Sequence, residues 1–147
     1  MDVDTGGERF LYMHPKWGHP AWQSDSRTIV EAGNLLFDSD TGRSRKIPEL
    51  PYFGSGHPSA SPDSTLLVTD TTMDRVGGNP KEWGIVVADM RGTNFVVVHH
   101  FDNSRGAHSW RSSHPHPVFS ADGRRIYFNV SSGPWTQLFV AAQEKFQ

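Results

Sequence analysis

Apolar residues in this chain come in short β-rich runs separated by clusters of Gly, Pro, Asp and Ser, and no stretch of ten or more residues carries the 3.6-residue period of a helix. Runs of this kind predict strands joined by tight turns. One group comprises Ala21 to Gln23, Thr28 to Glu31, Leu35 to Asp38 and Arg45 to Ile47, with Asp40-Thr41-Gly42 as its third turn. A second comprises Pro58 to Ser61, Leu66 to Thr71, Trp83 to Asp89 and Phe95 to Phe101, with a longer loop from Met73 to Glu82. A third has Val118 to Ser120, Arg125 to Val130 and Gln137 to Ala141, with no evident fourth strand. Arg9 to Tyr12 is a spare strand ahead of the first group.

Each group opens on the same phrase: His19-Pro20-Ala21-Trp22-Gln23-Ser24-Asp25, His57-Pro58-Ser59-Ala60-Ser61-Pro62-Asp63 and His116-Pro117-Val118-Phe119-Ser120-Ala121-Asp122. Recurrence of a phrase at such distances marks a repeat architecture. Four consecutive antiparallel strands are the content of one propeller blade. The expected fold is therefore all-β, a β-propeller fragment of about three four-stranded antiparallel blades. Residues 1–16 would hold a strand of a preceding blade or a closing strand. Residues 17–51, 52–102 and 103–147 would be the blades, the last with an active-site loop. Three blades do not close a ring that needs four to eight. The expected partners are accordingly the missing blades of a longer chain, or further copies of this one.

Composition narrows the function classes. Fourteen Lys and Arg stand against sixteen Asp and Glu, a net charge of −2, which offers no general attraction for nucleic acid or an anionic membrane. No apolar run approaches the ~20 residues of a membrane helix. Met1-Asp2-Val3-Asp4 lacks the basic and apolar regions of a signal peptide, which leaves the compartment open between bacterial cytoplasm and periplasm. The absence of cysteine excludes disulfides and thiolate metal sites.

The chemistry concentrates in histidine. In an extended segment, residues two apart point to one side, so His114 and His116 can reach one ion together. The prolines that follow them bias both toward extended backbone. His57 holds the place of His116 in the neighbouring repeat, so the three converge if the first strands line a common axis. Three imidazoles suit Mn²⁺, Zn²⁺ or a similar divalent cation. The alternative is that His-Pro merely enters a strand, each imidazole hydrogen-bonding a carbonyl of the next blade. His19, in register one blade away, is a further ligand, a general base or a structural repeat residue. His14, His99, His100 and His108 lack the register and read as surface or loop histidines. In the loop before His114, Arg105 and Arg111 offer forked donors for carboxylates and Trp110 a face for a sugar ring, a set suited to an acidic saccharide. Trp110 packed between blades and a solvated Arg111 account for the same residues. Asn129-Val130-Ser131 matches a glycosylation triplet but falls in an expected strand.

The His-Pro-x-x-Ser-x-Asp strand starts, His114-Pro115-His116-Pro117 and the run Arg125-Ile126-Tyr127-Phe128-Asn129-Val130 resemble the oligogalacturonate lyase family. The resemblance covers roughly Trp17 to Ala142, and it corresponds to the back half of such a protein. It implies a seven-bladed propeller that binds Mn²⁺ through three histidines and a glutamine and cleaves short oligogalacturonides by β-elimination. By position, His57, His114 and His116 are the implied metal ligands and His19 the implied base. Arg111 stands where the family has its glutamine, and a cation cannot ligate a metal. The family's catalytic arginine falls upstream of Met1, so this chain alone is expected to be inactive. The implied mechanism has Mn²⁺ hold a uronate carboxylate and acidify C5–H. An imidazole, ordinarily of pKa ~6.5, takes that proton, and the 4-oxygen leaves. The competing reading is a non-catalytic propeller of the WD-repeat or Tol type, which has similar Ser-x-Asp turns and binds a protein or a saccharide.

Overall fold

The computed structural model describes residues 19–54, 56–103 and 114–142. They form three antiparallel sheets. The first runs β1 (Ala21–Trp22), β2 (Thr28–Glu31), β3 (Leu35–Asp38) and β4 (Ser44–Lys46) in spatial order. The second runs β5 (Ser59–Ala60), β6 (Leu66–Thr72), β7 (Glu82–Asp89) and β8 (Phe95–Asp102). The third pairs β9 (Val118–Phe119), β10 (Arg125–Val130) and β11 (Gln137–Ala142). The sheets thus have four, four and three strands among the described residues, each laid down in chain order as a meander. No α-helix occurs among them, and no helix is long and apolar enough to cross a membrane. The expected Arg9–Tyr12 strand lies outside the described residues.

The recurring phrase has a local cause. In the second sheet, Ser61 Oγ donates to Asp63 (2.6 Å) and accepts from the Leu66 N–H (2.9 Å), while Asp63 accepts from the Thr65 N–H (3.1 Å). Ser120 and Asp122 repeat this with Arg125 and Arg124. In the first sheet Gln23 replaces the serine, and Asp25 accepts from the Arg27 and Thr28 N–H groups instead. The residue after each aspartate takes positive φ: Ser26 at 54°, Ser64 at 58° and Gly123 at 71°. Side-chain capture of backbone donors is what makes Asp a turn residue, so the turn fixes the register of the first two strands in each sheet.

Packing follows from the alternation. In the middle sheet Leu67, Val86 and Ala88 face the first sheet, where they meet Val30, Leu36, Ile47 and Phe53. Val68, Ile85 and Val87 face the third sheet and meet Ile126, Phe128 and Val130. Burial on both faces explains why β6 and β7 read as continuous apolar runs rather than alternating ones. The short strands β1 and β5 lie side by side, as do β5 and β9, so the first strand of each sheet approaches that of the next. Leu138 and Val140 hold in the third sheet the places that Ile85 and Val87 hold in the second. They are 72% and 54% exposed, against 0% and 6%. The loop Met73 to Glu82 begins with a 3₁₀ turn, Met73–Val76, whose first residue is buried.

Candidate metal centre

Strand order sets the site. His19, His57 and His116 each stand two residues before the first strand of a sheet, and those strands are neighbours. The imidazoles therefore meet at one end of the three sheets. One nitrogen each from His57, His114 and His116 falls within 4.8 Å of the others. Ring centroids are 3.6 Å apart for His57 and His116, 5.2 Å for His57 and His114, and 6.1 Å for His114 and His116. His19 packs its ring 4.1 Å from His57 and 6.4 Å from His116 and stays exposed. Trp83, at the start of β7, stacks on His114 at 4.9 Å.

Beneath the cluster lies Asp70 of β6, its side chain wholly buried. Its Oδ1 accepts from the His57 backbone N–H (2.8 Å), and Oδ2 accepts from His57 Nδ1 (2.8 Å) and from the His116 backbone N–H (3.1 Å). Burial works to raise the Asp70 pKa, but the hydrogen bonds from His57, its positive charge when protonated and the His116 N–H outweigh it, and the net shift is downward. The carboxylate is thus the stable form. The close approach behind it requires glycine: a Cβ on Gly56 would run into the Asp70 carbonyl oxygen. Partial burial, and next the charge of His57, lower the pKa values of His114 and His116, which favours the neutral imidazole a cation needs.

Two expectations fail. Pro117 does not hold His116 extended, because His116 has φ of 47°, in the left-handed region that a non-glycine residue enters at a cost. The physical reason is Asp70. Its fixed carboxylate captures the His116 N–H, a tertiary bond that overrides the local bias of the following proline. His99 is not a surface histidine either. It is half-buried in β8 among Phe101, Phe128 and Phe139, and burial lowers its pKa. His100 is exposed and pairs with Glu82 at 2.8 Å. Asn129 lies within β10. Arg105, Trp110 and Arg111, expected to contact substrate, lie outside the described residues, as do His14 and His108.

Sequence reasoning missed Asp70 and Trp83. Carried two residues outward, the Ser59–Val68 pairing sets Asp70 opposite His57, and the Val118–Tyr127 pairing sets Asn129 opposite His116. A lone acid at that register, inside an apolar strand, was the available signal. A cleft of about 330 Å³ lies elsewhere, between the second and third sheets near Leu66, Val96, Phe119 and Ala142, and its lining is mainly apolar but includes Arg124.

No family model and no curated protein matches the chain. Solved structures do. A prolyl endopeptidase superposes with TM-score 0.59 at 16% identity, over 88% of this chain and 21% of its own. An oligogalacturonate lyase from Vibrio parahaemolyticus superposes with TM-score 0.51 at 18% identity, over 79% of this chain and 34% of its own. The β-propeller domain of the Trilobed protease from Pyrococcus furiosus overlaps more loosely, with TM-score 0.46 at 15% identity, over 78% of this chain and 30% of its own. The likeness is one of fold: the chain is all-β and of propeller type. It spans about a fifth to a third of the length of these structures.

Proposed function

We propose that His57, His114 and His116 hold a divalent cation, Mn²⁺ or a relative of it, and that the chain carries the metal-binding part of a propeller acting on uronate-containing oligosaccharides. The observation that supports this most is the convergence of three imidazole nitrogens within 4.8 Å on a buried carboxylate that orients one of them. The donor set fits such an ion. Neutral imidazoles are borderline ligands, and a metal-bound histidine ordinarily gives its other N–H to a carboxylate, as His57 does to Asp70.

The reaction we assign is β-elimination, as in oligogalacturonate lyases. When bound, the cation supplies Lewis-acid polarisation of a uronate carboxylate. His19, exposed beside His57, is the proton acceptor for C5–H. Its exposure leaves it open to substrate and to solvent, to which it would return the proton. Arg105 and Arg111 are suited to further carboxylates of the same acidic chain and Trp110 to a sugar face. Arg111 itself contributes no metal ligand, so water or another oxygen donor would complete the coordination.

The test is binding of a short oligogalacturonide to the protein with and without Mn²⁺. The expected result is association that strengthens when Mn²⁺ is added, with no association of a neutral oligosaccharide of equal length. Equal binding of acidic and neutral sugars, or none under either condition, would remove the uronate reading. His19→Ala should leave Mn²⁺ affinity unchanged, because its ring is not among the three that converge.

A further inference from the structure

We infer that Asp70 is a positioning residue which sets the tautomer of His57 and the backbone of His116 together, so that one carboxylate prepares two of the three imidazoles for a cation. The inference rests on the metal-site reading above for its purpose, though its geometric content stands apart from it.

An ionised carboxylate only accepts hydrogen bonds. Asp70 Oδ2 lies 2.8 Å from His57 Nδ1 and Oδ1 lies 3.1 Å from it, so Nδ1 must carry the proton. In the neutral ring that leaves the lone pair on Nε2, the nitrogen turned away from Asp70. The same two oxygens accept from the backbone N–H groups of His57 and His116. Four interactions thus bind the ends of two sheets to one side chain, and one of them holds His116 in its strained conformation. Both carboxylate oxygens of Asp70 are engaged by these donors.

The other two repeats set the comparison. Ala32 stands opposite His19 and Asn129 opposite His116 in the extended registers. Neither is a carboxylate, so of these three register positions Asp70 alone sets a charged acceptor opposite its histidine.

Asp70→Asn tests this without changing volume. An amide has one acceptor oxygen and one donor nitrogen. Whichever way it turns, an N–H of residue 57 or of residue 116 faces a donor. If the nitrogen faces His57 Nδ1, that atom must accept, and the proton moves to Nε2. Imidazole ¹⁵N shifts of the metal-free wild-type protein should report His57 protonated on Nδ1 and bare on Nε2. In Asp70→Asn the Nε2 resonance should move toward the protonated value or the backbone N–H signal of His57 or His116 should shift, and Mn²⁺ affinity measured by calorimetry should fall about 10–100-fold. Should the variant not fold, the wild-type shifts decide by themselves. A wild-type His57 protonated on Nε2, or a folded variant with unchanged shifts and unchanged affinity, overturns the inference. A wild-type protein with the expected shifts but no affinity for Mn²⁺ sinks the metal reading and leaves the Asp70 geometry standing.

Discussion

The double variant His114→Ala/His116→Ala is expected to keep its fold and to show no Mn²⁺ binding. Two of the three converging nitrogens go, and the imidazole of His57 alone offers a single donor atom. Removing even an outer partner of a ligand ordinarily lowers metal affinity 10–100-fold, so losing two ligands should lower it by more than about a hundredfold. Stability should change far less. His114 is only partly buried, His116 is exposed, and alanine keeps the backbone N–H that Asp70 holds, so the loss should be nearer the roughly 1 kcal/mol of an ordinary substitution. Relief of the positive φ at His116 does not follow, because alanine is no more at ease there than histidine. Calorimetric titration with Mn²⁺ and a thermal melt on the same preparation check both halves. Unchanged affinity would end the assignment of these two histidines.

His57→Ala should act in the opposite way and cost stability even without metal. Its side chain is 8% exposed and that of Asp70 is 0% exposed. Removing the imidazole leaves a buried carboxylate with only two backbone N–H groups to answer it. Breaking a buried polar pair by deleting one partner costs on the order of 3 kcal/mol, which for a domain of this size lowers Tm by roughly 10 °C. The cavity left against His19, His114 and His116 adds to the loss. A metal-free melt of His57→Ala within a degree or two of wild type would mean that Asp70 is not held as described.

The contrast between the two variants shows what could be read from the chain. The turn phrase was legible because its cause is local: Asp63 and Asp122 capture donors within three residues, so serine, aspartate and the strand starts appear together in sequence. That placed the strands to within a residue or two and set His19, His57 and His116 in one register. It also brought His19 to the cluster. Asp70 was illegible for the converse reason. Its partners are 13 and 46 residues away, and it acts across a strand pair and a sheet boundary. The backbone of His116 escaped for the same cause, since a tertiary hydrogen bond outweighed the bias of the proline beside it. His99 looked like a surface residue because nothing in Val98-His99-His100 indicates that Phe128 and Phe139 of the next sheet cover the ring. Leu138 and Ile85 have the same pattern around them and opposite exposures, because exposure depends on the neighbouring sheet and not on the strand.

On the proposed function, three imidazoles of this chain meet on one cation. Pulsed electron paramagnetic resonance of the protein dialysed against Mn²⁺ tests it most directly, because ¹⁴N couplings report coordinated imidazole and spin counting reports stoichiometry. One Mn²⁺ per chain is expected, with couplings from several histidine nitrogens, all absent from His114→Ala/His116→Ala. Mn²⁺ that washes out on dialysis, or bound Mn²⁺ with no nitrogen coupling, would contradict it.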